Sequence, residues 1–273
     1  MRGLQRGLAA YAFVLRQPGA SFTEIRLATG LSKAVTHRVL AELERSGFVW
    51  RTLSDGRYRP RSHPVQAAGG PPGDFERRLA EAAVEPLREL NAAFVWPSDI
   101  FMFSGTGMRL LESSRRHSPF LINPETIGRE VDLLPTAVGR AYLGALPAGA
   151  RPGALAALHR DGRFAAQAAL CAEEPMQAIA DAGRRGYAFR DPAFVGQDGR
   201  DDGIQGLAVP IRGRAGRAPA APLGAVNVVW IRMAVGRTEA LRDWLGPLQD
   251  CAERIAARFA VQEQPRRPQV DPC

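Results

Sequence analysis

The segment between residues 21 and 59 constrains the fold of this chain more than any other stretch. Ser21 and Glu24 have the spacing of a capping box, which predicts that a short helix begins there. Gly30 favours a tight turn, and Ser32 is a good N-cap for a second helix. Two short helices separated by a tight turn are therefore expected.

The second helix is predicted to run to about Arg45, because Gly47 follows and favours a helix end. Asp55-Gly56 is a strong hairpin turn, and it joins two predicted strands over 48–52 and 57–59. A further helix over 2–16 precedes the segment, since Leu4, Leu8, Tyr11, Ala12 and Leu15 recur at helical spacing. This order of elements is that of a winged helix-turn-helix, which places its second helix in the major groove of DNA.

The second helix has two chemically different faces. The arc of Thr36, Val39, Leu40 and Leu43 is expected to face the core. Lys33, His37 and Arg38 lie on the outer face, and Val35 lies at the edge of the buried arc. Arg38 can form a paired hydrogen bond to guanine or hold a phosphate, and Val35 can touch a thymine methyl. The alternative for Lys33 and Arg38 is a solvated helix surface, and His37 fits either interpretation.

The predicted hairpin carries three arginines, Arg51, Arg57 and Arg59, beside Trp50 and Tyr58. Arginines on such a wing commonly lie along phosphates or in the minor groove. The two aromatic residues are expected to pack the hairpin onto the helices.

The net charge of +8 is concentrated near the N-terminus. Residues 1–64 hold 11 Lys and Arg against 4 Asp and Glu, whereas residues 65–273 hold 25 against 24. A basic module joined to a nearly neutral domain is the asymmetry expected of a nucleic-acid-binding protein.

Composition shifts predict four regions. They are a winged helix-turn-helix domain over 1–62, a linker and connecting helix over 63–92, a second domain over 93–262, and a disordered tail over 263–273. The Gly/Pro-rich run at 69–73 can continue neither a helix nor a strand. In the second domain, helices are expected near 135–146, 152–160, 173–185 and 238–261, and strands at 94–104, 108–115, 187–190, 204–211 and 223–231. Strands in one sheet with helices packed against it make an α+β domain.

Several functional classes find no support in the sequence. The four histidines lack metal-ligand spacing, and no Gly-x-Ser-x-Gly or complete phosphate loop occurs, so no enzyme, metal or cofactor is expected. No run of 18 or more apolar residues predicts a membrane helix, and the N-terminus lacks the pattern of a signal peptide. Three widely spaced cysteines fit a reducing compartment, so a cytoplasmic location is expected.

With these motifs in view, the stretch LSKAVTHRVLAELERSGFVWR resembles the IclR family of bacterial transcriptional regulators. The segments PTAVGRAYLGAL and IQGLAVPI with LGAVNVVW are similar to segments of that family's second domain, so the resemblance covers nearly the whole chain. The stretch VWPSD at 95–99 is similar to members that control aromatic-acid breakdown, notably of hydroxyphenylpropionate. Two departures are Ala34-Val35-Thr36, where the family usually has Ser-Thr-Val, and the run at 69–73, where it usually has an ordered helix.

The resemblance implies that the second domain is a GAF-like α/β effector-binding domain for a small organic acid. Backbone amides of Ala137, Val138 and Gly139 at a helix start can meet a carboxylate, and Thr136 can add a hydroxyl. Asn227 is a polar residue in an apolar strand, where family members carry a pocket hydroxyl. Ile204 and Gly206 are expected to supply pocket wall. The alternative for Asn227 is an amide satisfied by neighbouring backbone.

These observations together predict an effector-responsive transcriptional regulator of a catabolic operon. Its expected partners are double-stranded operator DNA, a small organic acid, a second or further copies in a homodimer or homotetramer, and RNA polymerase if it is an activator. The alternative is a ligand-binding sensor or scaffold whose N-terminal module binds protein. The sequence leaves open the effector, the operator and the sign of regulation.

Overall fold

A computed structural model describes residues 3–60, 74–120, 122, 127–196, 201–213 and 221–263. The predicted linker at 63–73 and the tail beyond residue 263 lie outside the described residues. The chain divides into two compact units, Met1–Glu81 with Gln262–Cys273, and Ala82–Val261.

The N-terminal unit has the predicted order of elements. Its helices are α1 (Gly3–Arg16), α2 (Phe22–Thr29) and α3 (Lys33–Arg45), and its strands are β1 (Val49–Arg51) and β2 (Tyr58–Pro60). The local signals act as expected: Ser21 and Glu24 form a complete capping box. Gly30 has a φ of 66° at the end of α2, and the Ser32 hydroxyl caps α3 by accepting from the Val35 amide. The winged helix-turn-helix is confirmed.

The core of this unit lies between the helices and the hairpin. Its buried members are Ala10, Val14, Ala20, Ile25, Leu40, Val49 and Tyr58. Val39 and Leu43 pack against this cluster and Thr36 is fully buried, which confirms the inward arc of α3. In α1 the outcome differs, because the leucine stripe that predicts the helix is exposed. Leu4, Leu8 and Leu15 are 75%, 57% and 49% exposed, while Ala10 and Val14 face the core.

The remaining elements follow in chain order. They are α4 (Asp74–Phe94), β3 (Ser98–Phe103), β4 (Met108–Ser113), β5 (Glu130–Val131), α5 (Ala137–Ala145), α6 (Arg151–Arg160), α7 (Arg163–Ala168), α8 (Pro175–Arg185), β6 (Ala188–Phe189), β7 (Ile204–Ile211), β8 (Gly224–Ile231) and α9 (Arg237–Glu263). Within the described residues, the strands after residue 94 form one antiparallel sheet in the order β5-β4-β3-β8-β7-β6. An α+β domain therefore follows the helix-turn-helix, as predicted.

Helix α5 packs on one face of this sheet. Ala208 of β7 and Ala225 of β8 share a core cluster with Ala141 and Leu143 of α5. In the register, Asn227 stands opposite both Asp99 and Ala208, so these three residues lie in one row on the α5 face. The sheet thus places polar residues of β3 and β8 beside the helix.

Close backbone approach explains the small residues around α5. A Cβ atom at Gly139 would lie 2.1 Å from the carbonyl oxygen of Leu133, and one at Gly144 would lie 2.7 Å from the Gly183 amide nitrogen. Only glycine leaves room for these contacts.

Some elements differ from the sequence prediction. Helix α7 and strand β5 were not expected, because neither carries a clear apolar period. Strand β3 begins at Ser98 and not at residue 94, since Pro97 lacks an amide donor and Val95 has a φ of 58°. Helices α4 and α9 both continue through an internal proline. Among the described residues, no helix has the length and hydropathy needed to cross a membrane.

Candidate functional site

The outer face of α3 is the candidate base-reading surface. Lys33, His37 and Arg38 are exposed there, and Val35 is half-buried at the edge. Within the described part of the chain, Lys33 and Arg38 form no ion pair or hydrogen bond through their side chains. The structure thus gathers the four residues at the N-terminal end of the helix, as a recognition helix requires. Contact of these side chains with DNA stays a prediction.

His37 also has an intramolecular neighbour. Its ring centroid lies 6.4 Å from that of Phe22 at the start of α2, with the two rings tilted by 55°. The imidazole is therefore positioned at the junction of the two helices while it remains exposed.

Two of the wing arginines are held within the hairpin. Arg51 Nε donates to the carbonyl oxygen of Gly56 at 2.8 Å, and its guanidinium lies 5.7 Å from the Tyr58 ring. Arg59 pairs with Asp55 at 3.1 Å between Nη2 and Oδ2. These contacts stiffen the wing, and they engage side chains that the sequence predicts for DNA contact.

Arg57 has a structural role that the sequence does not reveal. Its Nη1 donates to the Gly19 carbonyl oxygen at 2.7 Å and lies 3.2 Å from Glu24 Oε2, so it links the hairpin to the start of α2. The Ser21 amide and hydroxyl, together with Arg57, hold the pKa of Glu24 below its ordinary value. The Arg57 side chain is still 43% exposed, which leaves part of it available to a phosphate.

The second candidate site lies at the first turn of α5. Thr136 is the N-cap: its hydroxyl accepts from the Gly139 amide at 3.2 Å and donates to the Asp132 carbonyl oxygen. The sequence prediction treats Thr136 and Gly139 as free groups, whereas the structure pairs them with each other. The amides of Ala137 and Val138, which have no partner within the helix, remain as donors.

Strands β7 and β8 form the opposite wall of this turn. A Cβ atom built at Gly206 would lie 3.8 Å from Ala137 Cβ and 3.6 Å from Val229 Cγ1. Ile204, at the start of β7, is half-buried. The structure thus brings Gly206 against the α5 N-terminus, as a shared pocket wall requires.

The two ends of the Asn227 side-chain amide have different surroundings. Its Oδ1 accepts a hydrogen bond from the Asp99 backbone amide at 3.0 Å, so one end of the side chain is satisfied by neighbouring backbone. Its Nδ2 donates to no residue within the described part of the chain. This nitrogen is therefore available to a ligand, although only 6% of the residue's surface is exposed.

A buried ion pair beside Asn227 was missed by sequence reasoning. Asp99 is fully buried, and its Oδ1 accepts from Ser113 Oγ at 2.6 Å and from Arg115 Nε at 3.0 Å. Arg115 also bonds Asp99 Oδ2 at 2.6 Å. An aspartate within the apolar strand SDIFMF was the available signal, but its partners lie 14 and 16 residues away.

Arg140, which belongs to the Gly-Arg-Ala part of α5, is a structural residue. Its Nε donates to the Leu134 carbonyl oxygen at 2.7 Å, and its two terminal nitrogens pair with Glu173 at 2.8 Å and Asp191 at 2.5 Å. This arginine ties α5 to the segments that precede α8 and follow β6. Within the described residues, no group of three or more His, Cys, Asp or Glu is arranged to hold a metal ion.

These features define a class of protein: a winged helix-turn-helix with an exposed basic recognition face, joined to an α+β domain with an inward-facing polar row. Comparison with known proteins relates the N-terminal part of the chain to a family. Residues 3–52 match the IclR helix-turn-helix domain.

Solved structures share the fold along nearly the whole chain. One is described as a transcriptional regulator from Rhodococcus sp. RHA1, with 22% identity, a TM-score of 0.55, and coverage of 97% of this chain and 100% of that chain. An IclR family transcriptional regulator from Brucella abortus has 19% identity, a TM-score of 0.50, and coverage of 94% and 92%.

A third structure is an IclR homologue from Microbacterium hydrocarbonoxydans complexed with 4-hydroxybenzoate. It has 17% identity, a TM-score of 0.51, and coverage of 93% of this chain and 99% of that chain. This chain carries an IclR-type helix-turn-helix domain and has the fold of IclR-type transcriptional regulators.

Proposed function

We propose that the protein is an effector-responsive, DNA-binding regulator of a catabolic operon. The observation that carries this proposal is that Lys33 and Arg38 at the start of α3 are exposed and have no partner among the described residues. They lie in a unit that matches an IclR helix-turn-helix domain. Free cations at this position match the donors that guanine and phosphate accept. The protein works in the cytoplasm, where operator DNA is accessible, and it contacts RNA polymerase if it activates.

The proposed effector is a small organic acid bound between α5 and the sheet. The amides of Ala137 and Val138 lie at the positive end of the α5 helix dipole and suit a carboxylate. Asn227 Nδ2 supplies a further donor, while Gly206 and Ile204 provide wall. An aromatic acid is the first class to test, since a protein of the same fold is complexed with 4-hydroxybenzoate.

The proposed assembly is a homodimer or a homotetramer. The exposed stripe of Leu4, Leu8 and Leu15 on α1 supports it, because contiguous exposed apolar surface usually marks an interface. Two paired modules would place two α3 helices in successive major grooves of a partly palindromic site.

The effector proposal is tested by measuring operator affinity with and without 4-hydroxybenzoate and related acids, using fluorescence anisotropy on the full chain. The Asn227→Asp variant keeps an oxygen for the Asp99 amide and replaces the NH2 donor. We expect it to bind DNA as the wild type does and to lose its response to the acid. Asn91→Asp, the same change at an asparagine of α4 that is not a candidate site residue, is expected to keep the response.

A preserved acid response in Asn227→Asp would remove Asn227 from the effector site. If the wild type binds DNA with no salt dependence, the N-terminal module has another partner and the regulator proposal fails. Thermal unfolding of each variant separates a lost response from a lost fold.

A further inference from the structure

A pocket in the C-terminal unit is lined by none of the candidate effector residues. It has a volume of about 260 Å³ and lies between helix α8 and the edge strand β6. Gln177, Ala178, Asp181 and Arg185 recur at helical spacing and supply one wall. Tyr187 to Arg190 supply the other wall. The remaining lining residues are Arg140, Glu173, Glu174, Ala182 and Arg237.

Four arginines line this pocket, and three of them have carboxylate partners. The pairs are Arg140 with Glu173 and Asp191, Arg190 with Asp202 at 2.9 Å, and Arg185 with Asp181 at 3.8 Å. The fourth is Arg237, at the start of α9, which forms no ion pair within the described part of the chain. The lining thus combines four arginines with the carboxylates of Glu173, Glu174 and Asp181, and among the described residues Arg237 is the lining arginine that stands outside the ion pairs.

The positive charge of Arg237 is partly removed from solvent. The side chain is half-buried; its Nη2 donates to the Arg190 carbonyl oxygen at 2.9 Å, and its guanidinium lies 4.9 Å from the Phe189 ring. Burial lowers the pKa of the Arg237 guanidinium from its ordinary value. Glu173 acts on this guanidinium only from beyond ion-pair distance. A partly desolvated guanidinium with no carboxylate in direct contact among the described residues favours an anionic ligand, which it can hold through two parallel hydrogen bonds.

One part of the pocket wall is apolar and suits a flat ring attached to that anion. Phe189 stands edge-on to Tyr187, with ring centroids 6.0 Å apart and an interplanar angle of 83°. Ala178, Ala182 and Ala188 line the rest of the apolar surface without filling it. The volume lies just below the range of about 300–1,000 Å³ typical of larger ligands, so it accommodates a molecule with one ring.

We propose that this pocket is a second ligand site, which binds a small aromatic carboxylate with its carboxylate on Arg237 and its ring beside Phe189 and Tyr187. The site is separate from the proposed effector site, and it shares none of the candidate residues at Asn227, Gly206 or the α5 first turn.

The test titrates sodium benzoate into the full chain by calorimetry in an Asn227→Asp background, so that the proposed effector site does not contribute. We expect one benzoate to bind per chain. Adding Arg237→Gln should weaken this binding roughly 10-fold to 100-fold, the loss expected for hydrogen bonds to a charged group. Arg242→Gln, an exposed arginine on the same helix paired with Asp243, should leave it unchanged.

A second variant guards against misfolding as the cause of lost binding. Ala178→Leu adds side-chain volume to the α8 wall of the pocket and leaves Arg237 unchanged in the sequence. It should abolish benzoate binding while thermal unfolding stays near that of the parent. Absence of benzoate binding in the Asn227→Asp background would overturn the proposal, as would unchanged binding in both pocket variants. Inorganic phosphate that binds as tightly as benzoate would overturn the aromatic class.

Discussion

At the scale of single residues, the buried ion pair between Arg140 and Asp191 connects distant segments of the C-terminal unit. Asp191 is buried, and besides Arg140 it accepts hydrogen bonds from the amides of Ala172 and Ala193 at 2.9 and 2.8 Å. Burial acts to raise the pKa of Asp191, but these amides and the guanidinium outweigh it and hold the pKa below its ordinary value. The carboxylate is therefore more acidic in the folded chain than in the unfolded chain.

This difference predicts a pH dependence with a definite sign. A depressed folded pKa contributes stability above the unfolded pKa, and that contribution disappears as the pH falls through the folded pKa. We expect Asp191→Asn to lower the free energy of unfolding at pH 7 by about 3–5 kcal/mol, as for loss of one partner in a buried pair. The variant should also lose part of the wild-type decline in acid.

Denaturant titrations from neutral to acidic pH check this prediction, with Asp161→Asn as the exposed control. Equal stability of Asp191→Asn and the wild type at pH 7, with the same acid profile, would contradict it.

At the scale of elements, helix α5 depends on how closely its backbone approaches its neighbours. Gly139 lies against the segment around Leu133, and Gly144 lies against Gly183 of α8. The sequence pattern of small residues predicts the helix, with each of its ends within two residues of the observed one. It does not reveal which backbone each glycine faces, because that depends on contacts far away along the chain.

The close approach at Gly139 predicts a clear effect of one methyl group. Gly139→Ala places a Cβ atom where the Leu133 carbonyl lies, so the segment must shift, and we expect a loss of about 1–3 kcal/mol in the free energy of unfolding. Gly153→Ala in α6 is the matched control, since a Cβ there meets nothing within 4 Å. That change should be neutral or stabilising by up to about 1 kcal/mol.

Thermal and chemical unfolding of the two variants measure these changes in the free energy of unfolding. If Gly139→Ala is as stable as Gly153→Ala, the backbone contact at Leu133 does not constrain α5.

The winged unit was predictable because its signals are local. Capping by Ser21 and Ser32, the Gly30 turn and the Asp55-Gly56 hairpin each operate over a few residues. The link from Arg57 to Glu24 was not predictable, because it spans 33 residues and requires the hairpin to be folded onto the helices.

The candidate effector site was predictable only in part for the same reason. The pattern at the α5 start identifies the helix N-terminus, and Asn227 is visible as a polar residue in an apolar strand. The hydrogen bond between Asn227 and the Asp99 amide joins residues 128 apart, and it depends on strand order in the sheet. No short-range pattern encodes that order.

At the scale of the whole molecule, the concentration of positive charge in residues 1–64 and the exposed stripe on α1 concern partners, not folding. If the stripe of Leu4, Leu8 and Leu15 joins two copies, Leu8→Glu should reduce the mass in solution by dissociating that interface. Stability should change little, because the side chain is 57% exposed in the single chain.

Light scattering coupled to size exclusion measures this mass. Leu27→Glu, which changes a leucine on α2 that is 68% exposed, should leave the mass unaltered. An unchanged mass for Leu8→Glu would place the interface elsewhere.

The central claim is that the outer face of α3 selects a DNA sequence. Its most direct test sequences the fragments that the full chain binds from a random pool, and then measures affinity for the selected site against a scrambled one. The wild type should select a partly palindromic site, and Arg38→Ala should lose about 1–3 kcal/mol of that discrimination. Arg45→Ala, on the same helix but paired with Glu42, should retain it. Equal discrimination by Arg38→Ala and the wild type would contradict the claim.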